Sequence, residues 1–201
     1  MKSIGSLPKR KLMFSMALFV IIFAILISLI NGGRIKNLFK MNLKYTWFLV
    51  ITALLNIAVL VYITRFNLAH RRELMMVYPY LNLFTFFVMI FFSIANNKYF
   101  AFNIIALGLA LNLMAMINYA GFMPVLKEAL VYNGSVHELA ALENSLSMTH
   151  TLLVSGKTFN ALADTIPIGK FISFKTVISI GDIFLSLGLF MLVEDVMKRR
   201  S

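Results

Sequence analysis

Five long stretches of this chain carry almost no charge, and that pattern limits its fold more than any other feature. Leu12–Ile30, Tyr45–Thr64, Leu74–Ala95 and Tyr99–Leu126 contain no ionisable acid or base, and Thr176–Val193 contains one, Asp182. The hydrocarbon core of a bilayer takes roughly 20 apolar residues as a helix. The expected fold is therefore all-α, a polytopic transmembrane helix bundle of about five spans, near 12–30, 45–64, 74–95, 99–120 and 176–193. The whole chain, 1–201, reads as a single integral membrane domain.

Composition agrees. Hydrophobic residues make up 60% and charged residues 13%, the latter about half of what a soluble domain carries. A soluble protein of this size would be left with large apolar patches facing water. Nineteen Lys and Arg against eight Asp and Glu give a formal charge of +11. The bases sit in short clusters between the apolar runs, where a membrane protein places them, rather than in a stripe or a basic module. The expected partner is the lipid bilayer, with other membrane subunits as candidates and no nucleic acid. There is no cysteine, which excludes disulfides, thiolate metal sites and cysteine nucleophiles. His70, His137 and His150 lack metal-ligand spacing, so no metal or cofactor is expected.

Lys9, Arg10 and Lys11 before the first run raise the alternative of a signal peptide. The run is long for that role and no small-residue cleavage site follows, so a retained span is expected. Between Lys127 and Lys175 the character changes: Glu128, Glu138, Glu143 and Asp164 fall here, with an Asn133-Gly134 turn signal, Pro167 and Gly169. Met123–Tyr132 and Val136–Ser147 read as short amphipathic pieces at the interface.

The candidate polar site comprises Asp182, Ser179, Ser186, Asn112, Asn118, His150 and Asp164. An acid inside a span costs about 2.5–3.5 kcal/mol to insert, so Asp182 needs a partner or water, unless it lies near the helix start, where the dipole favours it. Ser179, Asp182 and Ser186 share a helix face, and Gly181 and Gly188, seven apart, would admit a close neighbouring helix. Asn112 and Asn118 suit bonding between helices. Asp164 suits a turn, or a carboxylate–imidazole couple with His150. Asn31-Gly32-Gly33 suits a helix C-cap, or a phosphate-holding backbone nest beside Arg34 and Lys36.

Four segments together resemble the bacterial domain-of-unknown-function 5317 family. They are Gly32-Gly33-Arg34-Ile35-Lys36-Asn37-Leu38; Asn112 with Asn118 and Gly121-Phe122-Met123-Pro124-Val125; His150 with Leu162-Ala163-Asp164-Thr165-Ile166-Pro167; and Ser179-Ile180-Gly181-Asp182. The family pattern places an arginine where this chain has Phe122, so an anion-binding role there does not carry over. The resemblance implies a multi-pass protein of the bacterial plasma membrane and lends no activity.

Counting bases alone leans to an inside N-terminus, by 11 to 8. The resemblance instead implies N-out and C-in, with Arg34, Lys36, Lys40, Lys44, Lys98, Lys198, Arg199 and Arg200 cytoplasmic. Three functions stay open. One is a small transport or lipid-handling protein with a polar cavity near the fourth and fifth spans. The others are a non-enzymatic accessory subunit and an interfacial enzyme using His150 and Asp164 on a lipid-linked substrate.

Overall fold

The computed structural model describes residues 16–65, 68–169 and 176–199, without the side chains of 63–65 and 68–75. The Lys9–Lys11 cluster and the start of the first run lie outside the described residues. Among the described residues five long helices lie side by side: α1 (Met16–Ile30), α2 (Thr46–Arg65), α3 (Leu68–Ala95), α4 (Phe100–Ile117) and α7 (Ile180–Lys198). Contacts run α2–α3–α4–α7–α1, so the chain's last helix sits between its first and fourth.

Each turn of direction has a local cause. Gly32 takes φ +82° after α1, with Gly32 N–H donating to Leu29 C=O at 3.0 Å and Gly33 N–H to Ser28 C=O at 2.8 Å. That is the glycine C-cap motif in which two late carbonyls are satisfied. A 3-10 turn, Ile35–Lys40, then leads to α2. Pro79 does not break α3, which continues through it. Gly121, at φ +93°, lies against Pro79, and a Cβ there would come within 2.3 Å of the Pro79 carbonyl oxygen. Helix α4 ends at Ile117, as the glycine and proline beyond it lead one to expect.

α4 is the centre of the core. Phe92, Tyr99, Phe102, Ile105 and Leu109 pack with Val196 of α7. The α4–α7 contact is close because small residues line it. A Cβ on Gly181 would lie 1.9 Å from Asn112 Oδ1, one on Gly108 2.6 Å from the Gly181 carbonyl oxygen, and one on Gly188 2.6 Å from Ile105 Cγ1. Gly181 and Gly188 therefore do admit a neighbouring helix closely, and that helix is α4.

The all-α expectation needs correcting in the segment after α4. There β1 (Met123–Val125) pairs in parallel with β2 (His150–Leu152), Met123 opposite His150, and Val125 also bridges Asp164. β3 (Ile166–Pro167) pairs antiparallel with β4 (Val177–Ile178). Met123–Tyr132 is thus not one amphipathic piece but a strand followed by α5 (Lys127–Asn133). α6 (Val136–Glu143) follows within the second piece. The reason is backbone supply: Met123 N–H donates to Thr149 C=O, Leu153 N–H to Val125 C=O, and Asp164 N–H to Pro124 C=O. Distant segments complete β1, and no local periodicity announces them. Val125, Ala129, Leu130, Leu142 and Val177 give this cap its own small core.

The count of five spans also contracts on length and hydropathy. Among the described residues two helical segments, Met76–Ala95 and Phe100–Ile117, are long and apolar enough to cross a membrane. Met16–Ile30 and Thr46–Tyr62 are apolar but shorter, and α7 carries Asp182, Glu194 and Asp195.

The α4–α7 spacing yields a prediction. Gly181→Ala places a methyl where Asn112 Oδ1 now sits, so thermal unfolding of the purified protein should show a loss of about 1–3 kcal/mol. An unchanged melting temperature would mean the two helices are not held at this distance.

Candidate functional site

The site is assembled where α7 begins. Ser179, fully buried, is the residue before the helix, and its Oγ accepts from Asp182 N–H at 3.0 Å. Asp182 Oδ2 in turn accepts from Ser179 N–H at 3.1 Å, a reciprocal capping box. Asn112 of α4 joins this pair. Its Nδ2 donates to Asp182 Oδ1 at 2.9 Å and its Oδ1 accepts from Ser179 Oγ at 2.8 Å. Both carboxylate oxygens of Asp182 are therefore engaged, one within α7 and one across to α4.

The strands bring a second pair alongside. β1 carries His150 on one flank and Asp164 on the other, because Met123 pairs with His150 and Val125 with Asp164. His150 Nε2 stands 3.8 Å from Asp164 Oδ2, too long for a hydrogen bond. Thr149 Oγ1 lies 2.7 Å from His150 Nδ1. Asp164 is 4% exposed and its Oδ1 has no hydrogen-bond partner among the described residues.

Electrostatics separate these groups into distinct states. Burial, then the negative charges of Asp182 and Glu138, push the Asp164 carboxyl up to about 8. Burial also lowers the His150 imidazole below its usual 6.5, partly opposed by Asp182. Burial raises the Glu138 carboxyl as well. At neutral pH, Asp164 is thus a protonated acid beside a neutral imidazole, and the pair is not an ion pair. Thr149, His150 and Asp164 fall in the order of a nucleophile, base and orienting acid. A neutral Asp164 cannot supply the carboxylate that such a relay requires. What the arrangement can do is hold one proton in a buried place and release it when the local charge or pH changes.

The remaining sequence candidates fall elsewhere. Asn118 caps the far end of α4, donating to Thr158 C=O at 2.8 Å. Ser186 is half-buried on α7 and takes no part in the Ser179–Asp182–Asn112 hydrogen bonds. Among the described residues no group of His, Asp and Glu could hold a metal ion.

Several residues went unread in the sequence. Thr149 and Glu138 joined the site only through the strand pairing and the placement of α6. At the opposite end of the bundle, Asn37 donates to the Met197 and Arg199 carbonyls at 3.0 and 2.8 Å, holding the last turn of α7. Asn96, fully buried, clamps Lys44 through both its N–H, at 2.8 Å, and its C=O, at 3.0 Å. Asparagine beside apolar runs was the available signal. The alternative of a Gly-Gly backbone nest is overturned. The Gly32, Gly33 and Arg34 N–H groups donate to Leu29, Ser28 and Met197 carbonyls and are not available to an anion.

Fold and site together define a helical protein with a small mixed cap and a buried acid cluster under it. The chain belongs to the family of unknown function DUF5317, whose profile matches residues 40–194. That match takes in three of the four resembling segments and begins after the Gly32–Leu38 loop. It is also similar to an uncharacterized protein of Thermotoga maritima, 29% identical over 171 residues, covering 85% of this chain and 86% of that one. No solved structure matches.

The raised acid makes a signed prediction. A carboxyl whose pKa rises from 3.8 unfolded to about 8 folded stabilises the fold when both states are protonated. That contribution is lost as pH climbs through this window, at up to about 1.4 kcal/mol per pH unit. The lowered His150 acts oppositely, but only below about 6.5. From 6.5 to about 8 the Asp164 loss is no longer opposed by His150, and the melting temperature should fall. Asp164→Asn should flatten that slope; a variant with the parent's slope would assign the proton elsewhere.

Proposed function

We propose that this chain is a multi-pass protein of the bacterial plasma membrane in which α1, α2 and α7 cross alongside α3 and α4. Its role on this reading is small-scale transport or lipid handling, coupled to the proton held at Asp164. One observation carries the membrane reading. The apolar segment Met76–Ala95 is only 17% buried, whereas the core helix of a soluble protein would be covered. Phe84, Phe87 and Phe91 of α3, Val50, Ile51 and Leu54 of α2, Phe23 and Leu26 of α1, and Ile183 and Leu187 of α7 all point outward. In lipid that surface is solvated; in water it would drive association.

The family resemblance and the dense base clusters of one end favour N-out and C-in, although all bases counted together run 11 to 8 the other way. Arg34, Lys36, Lys40, Lys44, Lys98, Lys198 and Arg199 gather at one end of the bundle, against Glu194 and Asp195. The cap end carries Lys127 and Lys157 against Glu128, Glu138, Glu143, Asp164 and Asp182 among residues with described side chains. Short loops dense in bases next to span ends mark the cytoplasmic side, and acids weigh little in that rule. The cap and its proton site then face outward.

The accessory-subunit reading has a specific observation in its favour. Asp182 and Asn112 satisfy each other and the helix cap, which is what a purely structural lock would look like. An interfacial enzyme is less well supported, because Asp164 is neutral where a carboxylate is needed.

The absence of cysteine makes the test direct. Lys157→Cys should react with a membrane-impermeant maleimide in intact spheroplasts, and Lys40→Cys only after lysis. The protein should also stay in the pellet after alkaline carbonate washing. Release by carbonate would end the membrane reading, and the reverse labelling pattern would invert the orientation.

A further inference from the structure

The basic end of the bundle holds a concavity that the proposed site does not use. It measures about 510 Å³ and is lined by Asn31, Gly32, Arg34, Asn37, Met197, Lys198 and Arg199. The polar floor is already committed. Asn37 Nδ2 serves the Met197 and Arg199 carbonyls, and Arg34 N–H serves Met197 C=O at 2.9 Å. These bonds satisfy the Met197 and Arg199 carbonyls and so lessen the negative potential that an anion meets at the end of α7.

Three cations line the rim, and they differ in what holds them. Lys198 pairs with Glu194 at 2.6 Å and Arg199 with Asp195 at 2.7 Å, both exposed i,i+4 pairs, and the Arg199 guanidinium also lies 4.5 Å from the centre of the Tyr99 ring. Such pairs are weak and exchange readily. Asn31 Nδ2 also reaches Glu194, at 3.3 Å. The Arg34 guanidinium has no partner among the described residues and is exposed. An arginine offers a planar fork of donors that matches phosphate oxygens. Ile30 and Ile35, next in the chain to the pocket residues Asn31 and Arg34, are exposed, Ile30 to 81%, and Phe39 in the same 3-10 turn as Ile35 is 86% exposed.

We infer that this pocket binds the phosphate of an anionic phospholipid, with Arg34 as the principal contact and Lys198 and Arg199 as flanking charges. Ile30, Ile35 and Phe39 then lie in the acyl chains next to the headgroup. A free phosphate would use the same cations but would gain nothing from that apolar rim, which is why the lipid is the favoured source. Basic recesses at the cytoplasmic ends of spanning helices suit such headgroups. The inference rests on the membrane reading and its orientation, but its test is separate from carbonate extraction and labelling.

The experiment uses the full-length protein in neutral detergent, titrated with phosphatidylglycerol, phosphatidylcholine or inorganic phosphate and followed by thermal shift. Phosphatidylglycerol should raise the melting temperature where phosphatidylcholine does not. Arg34→Gln should weaken the half-saturating concentration by roughly tenfold or more. Lys40→Gln removes the same charge at the same end outside the pocket, and should cost no more than about fivefold. Each variant's lipid-free melting temperature checks that it folds. Equal losses in the two variants would reduce the effect to general surface charge and overturn the site. An equal shift with inorganic phosphate would overturn the lipid as its source.

Discussion

The arrangement of this protein depends on how near α7 can come to α4. Gly108, Gly181 and Gly188 remove the side chains that would hold the two helices apart, and the Ser179–Asp182–Asn112 hydrogen bonds then fix their register. An apolar contact alone would slide. In a non-polar setting, few other partners exist for Asn112 or Asp182, so the polar lock and the close packing reinforce each other. Because β4 runs directly into Ser179, the same lock fixes the cap on the end of the bundle. The other end is tied by Asn37 and Arg34 to the last turn of α7. Helix α7, the last element of the chain, is thereby held at both ends by residues far away in sequence.

The locked α4–α7 pair explains why a buried acid is tolerated beside it. Asp182 has both oxygens bonded, and burial, followed by the field of Asp182, raises the Asp164 carboxyl. Two nearby carboxylates in a poorly solvated place cannot both ionise cheaply, so the one lacking donors keeps its proton. Asp164 is that one, with Oδ1 unbonded among the described residues. Stability of the lock and protonation of the cap are two results of one charge distribution. The carboxylate–imidazole couple, one of two sequence readings of Asp164 and His150, is not favoured by a carboxyl raised this far.

The legibility of these features in the sequence varied with the range of the interactions behind them. Helix ends were legible, since Gly32 and Gly121 act on bonds within their own turns. The close approach permitted by Gly181 and Gly188 was also legible from their spacing, although the partner helix was not. The strands were not legible. β1 is a three-residue piece containing Pro124, and it becomes a strand only because residues near 150 and 164 supply its hydrogen bonds. Asn118 looked like Asn112 in sequence. It ended at the α4 terminus, bonded to Thr158, because α4 stops one residue before it.

By itself the sequence determined that long uncharged helices dominate this chain, where several of them stop, and that its bases cluster between them. Those properties follow from composition, from glycine and proline stereochemistry, and from the length of uncharged runs, all of which act locally. Tertiary structure alone decided that α7 lies between α1 and α4, that a mixed cap replaces simple interfacial helices, and that Asp164 shares a field with Asp182. Hydrogen bonds between segments distant in the chain, and charges brought together in a medium of low polarity, have no signature in neighbouring residues. They exist only once the chain has closed on itself.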